Sequence, residues 1–226
     1  MSQAIVKTSR ELQELAKRRD SVIVAFSGGK DALCCLDLCS RAFKRVVCFY
    51  RYFVPGLAFI EKQLADARER WGVPILQYPS ASFVRALSEG YFRLPFSGLP
   101  EIDTHDISRQ VMRDTGIDLI VTGEKKADGI WRKRQMANNR YARQHLYCPL
   151  ADWKKWDVIS YLRGRGIPLP ESSDGHQSAG VDASQQFIVW LYKNHPDDFE
   201  RYCEWFPWAM AAVKRREWYG EEIGLK

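Results

Sequence analysis

An apolar run that leads directly into two glycines, a lysine and an aspartate constrains the fold of this chain more than any other feature. The run, Ser21 to Phe26, is mostly β-branched and shows no polar alternation, which is typical of a strand buried on both faces of a parallel sheet. Residues 31–43 predict a helix directly after it. A strand, a glycine loop and a helix in this order place unpaired backbone N–H groups at a helix N-terminus, where the helix dipole also favours an anion. The sequence therefore predicts a phosphate-binding loop at Ser27-Gly28-Gly29-Lys30-Asp31.

Strand and helix signals alternate along most of the chain. The predicted strands are 45–50, 73–76, 117–122 and a short one near 146, and the predicted helices are 8–18, 57–71, 104–115 and 154–164. Strands that alternate with helices in this way form right-handed βαβ units. We expect an α/β fold with an open, mostly parallel, Rossmann-like sheet of about five strands and helices on both faces.

The composition of the chain changes near residue 170. Residues 1–170 are predicted to form the α/β domain that carries the loop, with residues 1–20 as an N-terminal helix. Residues 171–226 begin with a loop and continue as an aromatic-rich helical extension. Its aromatic side chains fit a helical pair packed on the sheet or a homodimer interface better than a platform for stacking bases.

Most of the formal net charge of +6 comes from one segment, residues 124–143. This segment contains seven basic and only two acidic residues, with Trp131 and Tyr141 among them. A concentrated basic patch attracts phosphates. We interpret it as a flap over bound phosphates, and the alternative is a surface that holds a nucleic acid or nucleoside acceptor.

Neither the cysteines nor the hydropathy pattern indicates a secreted or membrane protein. The six cysteines lack C-x-x-C spacing, and three of them, Cys34, Cys35 and Cys39, fall on one predicted helix, where core packing explains them. The sequence has no apolar run of 18 or more residues and no typical leader at its N-terminus. We therefore predict a cytoplasmic protein with no membrane partner.

The spacing in the loop excludes the two best-known phosphate loops. A G-x-x-x-x-G-K-[ST] loop would need a glycine at Val24 and a hydroxyl at Asp31, and the G-x-G-x-x-G pattern also fails. Ser-Gly-Gly-Lys-Asp instead resembles the PP-loop of the N-type ATP pyrophosphatases, usually S-G-G-x-D-S, with Ala32 in place of the final serine.

The resemblance extends over residues 20–170 and is to the phosphoadenosine phosphosulfate (PAPS) reductase family. Two segments carry it besides the loop: VTGEKKADGIWR after the predicted fourth strand, and PLADWKKWDVISYL from Pro149 to Leu162. The resemblance implies that the loop residues Ser27, Gly28, Gly29, Lys30 and Asp31 surround the phosphates or sulfate of an adenine nucleotide. It places the following residues over the same crevice, at the carboxyl end of the fourth strand: Gly123, Lys125, Lys126, Asp128 and Arg132.

The roles expected of these residues follow from the chemistry of phosphoryl and adenylyl transfer. Lys30, Lys125, Lys126 and Arg132 would supply positive charge to the reacting phosphates, with Arg134 a weaker candidate. Asp31 or Asp128 would help to hold Mg²⁺. The expected cofactors are ATP or PAPS and Mg²⁺.

Three departures from the family change the expected reaction. Ile223 stands where the reductases carry a nucleophilic cysteine in their C-terminal tail, and no cysteine follows Cys203. The family's acidic D-T-G after the second strand is replaced by Phe49-Tyr50-Arg51. Residues 178–183 contain none of the paired cysteines that hold an iron–sulfur cluster in one branch of the family, so no cluster is expected.

These departures leave three hypotheses for function. The first is an enzyme that cleaves ATP to AMP and pyrophosphate to activate an acceptor, as in sulfurtransferase-type modification with a sulfur-donor protein. The second is a PAPS reductase that uses a non-tail or external thiol. The third is a non-catalytic nucleotide-binding or interaction protein that retains the fold.

Overall fold

The computed structural model describes residues 3–138, 145–170 and 180–220. Its strands are β1 (Ser21–Ala25), β2 (Arg45–Tyr52), β3 (Ile75–Pro79), β4 (Ile120–Val121) and β5 (Leu146–Tyr147). Its helices are α1 (Gln3–Ala16), α2 (Lys30–Ala42), α3 (Ala58–Trp71), α4 (Ala81–Glu89), α5 (Thr104–Thr115), α6 (Ile130–Ala137), α7 (Lys155–Gly164), α8 (Gln185–Asn194), α9 (Pro196–Trp205) and α10 (Met210–Tyr219). A short 3₁₀ turn, Lys126–Asp128, precedes α6.

The five strands form one sheet in the order β3-β2-β1-β4-β5, with helices around it. Strand β1 lies at its centre and pairs in parallel with β2, Val24 opposite Cys48, and with β4, Val24 opposite Val121. The three central residues of β1, Val22, Ile23 and Val24, are fully buried. The unbroken apolar run thus correctly predicted a central parallel strand, and the α/β fold class is confirmed.

The N-terminal helix is tied to the segment before α7 by one buried hydroxyl. Thr8 Oγ1 donates to the carbonyl of Pro149 at 3.1 Å and accepts from Trp153 Nε1 at 2.9 Å. Trp153 is almost completely buried, so this polar pairing satisfies an indole N–H that has no access to water. The Pro149-Leu150-Ala151-Asp152-Trp153 motif therefore anchors α1 to the rest of the α/β unit.

Asp37, on α2, links this helix by hydrogen bonds to residues at or near α3 and α7. Its carboxylate accepts hydrogen bonds from Tyr161 at 2.7 Å, from Arg165 at 3.0 Å and from Trp71 at 3.2 Å. Burial by itself would raise the pKa of the Asp37 carboxyl, but these three donors and the charge of Arg165 outweigh burial and lower the pKa. The helix that follows the glycine loop is thereby connected to α3 and α7.

The sequence placed most elements correctly but missed two helices. Helix α4 has the expected boundary residues, since Ser80 accepts from the N–H of Phe83 and Gly90 ends the helix at a φ of 81°. Helix α6 lies inside the basic segment, whose charge pattern concealed its helical propensity. Strand β4 is limited to Ile120–Val121, shorter than the predicted run from 117 to 122.

The chain divides into two compact units. Unit 1 comprises Met1–Arg51, Leu64–Tyr78 and Ser108–Pro170, and unit 2 comprises Tyr52–Gln63, Pro79–Ile107 and Glu171–Lys226. Unit 2 therefore contains two earlier stretches of the chain besides the C-terminal segment.

Unit 2 has an aromatic core. The ring of Phe53 stacks on that of Phe206, with centroids 5.4 Å apart, and on that of Tyr202, at 6.4 Å. Phe83 meets Phe206 edge to face. Asp198 accepts from the backbone N–H groups of Ala58 and Phe59, which begin α3. Many of the C-terminal aromatic residues are thus internal contacts of this unit.

Among the described residues, none of the helices combines the length and the apolar character needed to cross a membrane.

Candidate functional site

Residues 26–29 connect the central strand β1 to α2 and form the loop expected to bind phosphate. Gly28 has a φ of 74°, a left-handed conformation that side-chain-bearing residues rarely adopt. Gly29 precedes α2 with a φ of −73°, and no side chain caps the helix there. The first turn of α2 therefore offers its N–H groups to an external acceptor, at the carboxyl edge of the sheet where open α/β folds bind ligands.

Two buried lysines converge on Asp31 in the first turn of α2. Lys30 Nζ lies 3.1 Å from Asp31 Oδ2, and Lys125 Nζ lies 2.7 Å from Asp31 Oδ1. Only 7% of Lys30 and 4% of Lys125 is exposed, although lysines are rarely buried unless paired. Asp31 Oδ1 accepts no hydrogen bond of good geometry despite its ion pair with Lys125. Asp31 Oδ1 therefore has a charged neighbour, Lys125, but lacks a well-aligned hydrogen bond.

Asp128 extends the same charge cluster toward α6. It accepts from the backbone N–H of Lys125 at 2.9 Å, and its other oxygen lies 3.3 Å from Lys125 Nζ. Arg132 Nη1 is 3.2 Å from Asp128, one helical turn further on. Burial alone would raise the pKa of the Asp128 carboxyl, but the Lys125 N–H and the charges of Lys125 and Arg132 lower it. Asp128 therefore holds Lys125 and Arg132 in place as an anion.

Gly123 lets the segment after β4 approach the start of α2. A Cβ at this position would lie 3.0 Å from both the carbonyl carbon and the Cβ of Asp31, closer than side chains pack. The glycine therefore serves close backbone approach. It brings the residues after β4 within reach of the glycine loop.

The structure divides the predicted site residues into two groups. Lys30, Asp31, Lys125, Asp128 and Arg132 form one connected cluster of ion pairs beside the glycine loop. Lys126 lies apart from it. Its Nζ is 2.6 Å from Asp152, which also meets Lys7 at 3.6 Å.

Two residues near this edge were not assigned a role from sequence. Arg51 is at the end of β2, where sequence analysis noted only the loss of an acidic motif. Glu124 follows Gly123, and its carboxylate lies 3.9 Å from Arg132 Nη2. The sequence did contain a signal for Arg51, because the segment Phe49-Tyr50-Arg51 is positively charged where the family has an acidic D-T-G. From the sequence alone, this change was interpreted as a departure from the family and not as a possible ligand contact.

All six cysteines lie in the described residues as free thiols. Burial is the first cause that raises the pKa of each thiol, and for Cys148 it acts together with the Glu124 carboxylate to give a pKa of about 12. Cys34, Cys35 and Cys39 are fully buried on α2, in agreement with core packing. Thiolate, the nucleophilic form, is therefore scarce at neutral pH.

Comparison with known families gives a match to the phosphoadenosine phosphosulfate reductase domain over residues 21–174. The chain belongs to this family. The matched range contains the glycine loop and the whole ion-pair cluster. No curated protein sequence matches the chain significantly.

A solved structure shares the fold of this PAPS reductase family member. It is the U34-tRNA thiolase NcsA from Methanococcus maripaludis with its [4Fe-4S] cluster. The TM-score is 0.51 at 14% sequence identity, and the match covers 93% of this chain and 79% of the thiolase chain. At an identity this low, the structural similarity shows a common fold and nothing more.

The prediction that no iron–sulfur cluster is to be expected is wrong, because a protein with this fold carries one. The solved thiolase carries a [4Fe-4S] cluster, and the PAPS reductase family member has six cysteines. Over residues 3–138, 145–170 and 180–220, however, no group of three or more His, Cys, Asp or Glu side chains is arranged to hold a metal ion. The side chains of these described residues are therefore not arranged to bind an iron–sulfur cluster.

Proposed function

We propose that this chain is an adenine-nucleotide-binding enzyme that cleaves ATP to AMP and pyrophosphate in order to activate an acceptor, in a sulfurtransferase-type modification. The observation that carries the proposal is the pair of buried lysines, Lys30 and Lys125, on either side of Asp31 at the phosphate-binding loop. Buried cations next to free helix N–H groups form a site for several phosphate oxygens at once.

The reaction requires positioning and positive charge but no nucleophilic side chain. An acceptor oxygen forms a bond to the α-phosphorus, the bond from that phosphorus to the bridging oxygen breaks, and pyrophosphate leaves with the electron pair. The adenylated acceptor then loses AMP when a sulfur nucleophile displaces it. Lys30 and Lys125 would stabilise charge on the phosphates during the first step, and Arg132 would add to the same field.

The roles of the carboxylates follow from their partners. Asp31 and Asp128 hold the cations of the cluster, and Asp31 is the candidate ligand for phosphate-bound Mg²⁺. Magnesium would replace a lysine as the partner of one Asp31 oxygen, which the incomplete hydrogen bonding of Oδ1 favours. Ser27, Gly28, Gly29 and Gly123 would leave room for the phosphates to approach the backbone.

We propose a nucleic acid or nucleoside as the acceptor, held by the basic segment. Trp131 is 64% exposed beside Arg132 and Lys133 on α6, an arrangement suited to base stacking next to phosphate contacts. The thiolase with a similar fold is named for its action on U34 of tRNA, which favours this class of acceptor. Residues 139–144 of the segment, including Tyr141, lie outside the described residues.

The second candidate is PAPS reduction with an external thiol, which the name of the family favours. The raised pKa of every cysteine argues against an internal thiol nucleophile in this chain. A sulfur-donor protein would be needed in the first candidate reaction and a thiol reductant in the second.

Product analysis separates these two candidates. The purified protein is incubated with Mg-ATP, bulk tRNA and sodium sulfide as the sulfur nucleophile and, separately, with PAPS and reduced thioredoxin, and AMP, pyrophosphate and sulfite are measured. We expect AMP and pyrophosphate in equal amounts, and a loss of at least about 100-fold in Lys30→Ala and Lys125→Ala. Sulfite release that needs Lys30 would support the second candidate, and nucleotide binding without turnover of any kind would contradict both.

A further inference from the structure

Arg51 and Glu124 lie on the two sides of the glycine loop, at the end of β2 and after β4, the strands that flank β1. In the sheet, Ala25 of β1 is opposite Phe49 of β2, and Phe26 continues this register by donating to the carbonyl of Phe49 at 2.9 Å. The next step puts Arg51 opposite Ser27. On the other side of β1, β4 pairs Val121 with Val24, and Gly123, two residues later, lies against Asp31, so that Glu124 follows next to the loop. The two charged residues therefore flank the loop on its two sides.

Arg51 is exposed to solvent but lies against an aromatic ring. Its guanidinium carbon lies 5.9 Å from the centre of the Phe49 ring, two residues earlier on the same face of β2. Desolvation by the protein nevertheless lowers the pKa of the Arg51 guanidinium, and the Glu124 carboxylate partly opposes that change. The cation is accessible to a ligand but only partly hydrated.

Glu124 supplies negative charge to two arginines at once. It lies 3.9 Å from Arg132 and interacts electrostatically with Arg51 from the opposite side of the loop. The 3.9 Å separation between Glu124 and Arg132 is too long for a hydrogen bond, so this pair can be rearranged when another anion binds. A phosphate offers more acceptor oxygens than this carboxylate and a larger charge.

We propose that Arg51 is an anion-binding, specificity-determining residue, whose guanidinium takes a phosphoryl group of the nucleotide in exchange for Glu124. The inference rests on the proposed function, since the ligand is the polyphosphate chain bound by the glycine loop. A planar guanidinium can donate two parallel hydrogen bonds to a phosphate, which an ammonium group cannot. Arg51 thus supplies a cation on the β2 side, in the segment Phe49-Tyr50-Arg51 that stands in place of the family's D-T-G.

Binding measurements with matched variants test this role. ATP and inorganic pyrophosphate are titrated by calorimetry into the wild type, Lys30→Ala, Arg51→Ala, Arg51→Lys, Glu124→Gln and the double variant Arg51→Ala/Glu124→Gln. Arg41→Ala is the control, because it removes the same charge near the other end of α2, about 15 Å along the helix. Circular dichroism melts establish that each variant is folded.

The variants have distinct expected results. Arg51→Ala weakens both ligands about tenfold, and Arg51→Lys recovers only part of this loss because it cannot form the bidentate pair. Glu124→Gln tightens binding about threefold when Arg51 is present and has no such effect in the double variant. Arg41→Ala changes affinity less than about twofold.

The outcomes separate the two proposals. Equal affinities for wild type and Arg51→Ala, with Lys30→Ala impaired, would overturn the role of Arg51 and leave the proposed function intact. Tightening by Glu124→Gln without Arg51 would also overturn it. Failure of the wild type to bind ATP would contradict the proposed function, and the pyrophosphate titrations would still decide whether Arg51 binds anions.

Discussion

Helix α2 contains two aspartates with contrasting surroundings. Asp31, in the first turn, lies beside two lysines, and its Oδ1 lacks a well-formed hydrogen bond. Asp37, less than two turns later, accepts hydrogen bonds from three side chains of three kinds, Trp71, Tyr161 and Arg165. The side chain of Asp31 is 24% exposed and that of Asp37 only 6%.

This contrast distinguishes a carboxylate that maintains the fold from one placed to exchange partners. Directional bonds that are all satisfied fix a geometry and leave no capacity for a ligand. Ion pairs with incomplete hydrogen bonding hold cations near one another and can be rearranged when a phosphate arrives. The cluster around Asp31 also balances its charges, because Lys30, Lys125 and Arg132 face Asp31, Asp128 and Glu124. A phosphate ligand would replace carboxylates as the partner of these cations.

The largest expected effect comes from replacing each aspartate by its isosteric amide. Asp37→Asn should lower the free energy of unfolding by about 2–4 kcal/mol, because it removes the charge that the Arg165, Tyr161 and Trp71 donors share. Asp31→Asn should lower it by less, about 1–2 kcal/mol, because the Asp31 side chain is 24% exposed and Lys125 keeps Asp128 as a partner. Urea denaturation followed by circular dichroism measures both. Equal losses in the two variants would show that the contrast does not exist.

A smaller effect is expected at the point where the loop meets the segment after β4. Gly123→Ala should destabilise the protein by about 1–3 kcal/mol, since the added methyl group meets the backbone of Asp31 rather than a movable side chain. It should also weaken nucleotide binding, because the start of α2 must shift.

Gly164→Ala is the matched control for this substitution. Gly164 ends α7, has no atoms within 4 Å of an added Cβ and adopts no left-handed conformation. Alanine there should be neutral or slightly stabilising, because glycine lowers helix stability. A tolerated Gly123→Ala with unchanged ATP affinity would contradict the close approach seen here.

The smallest effect is a difference in acid sensitivity. Burial opposes ionisation of Asp37, but hydrogen bonds from Arg165, Tyr161 and Trp71 outweigh it and lower the pKa of its carboxyl in the folded state. A lowered folded-state pKa gives stability that is complete above the ordinary aspartate pKa and is lost as pH falls through the folded value. We therefore expect wild type to lose about 1 kcal/mol more than Asp37→Asn between pH 5 and pH 3. Parallel pH profiles for the two proteins would contradict this assignment.

The sequence was most informative where one residue type is physically necessary. The apolar run predicted β1, and the two glycines followed by Lys30 and Asp31 predicted the loop and the helix after it. Gly123 and Lys125 were found through the family resemblance. Their closeness to Asp31 depends on the parallel pairing of β1 with β4, which the sequence pattern does not specify.

Other features could not be predicted because they depend on side chains brought together from distant parts of the chain. Asp37 and Tyr161 are 124 residues apart, and only the packing of α7 on α2 makes them partners. Lys126 was expected in the same crevice as Lys125, whereas its side chain pairs with Asp152. Adjacent lysines in an irregular segment point in directions that the sequence does not specify.

The most direct test of the central claim is the affinity of the folded protein for ATP, measured by calorimetry in wild type, Lys30→Ala and the distant charge control Arg41→Ala. We predict micromolar to millimolar binding by wild type, at least a tenfold loss in Lys30→Ala and less than a twofold change in Arg41→Ala, on the order expected for removing a buried charged contact. Equal ATP affinities for wild type and a correctly folded Lys30→Ala would contradict the assignment of the loop as the nucleotide site.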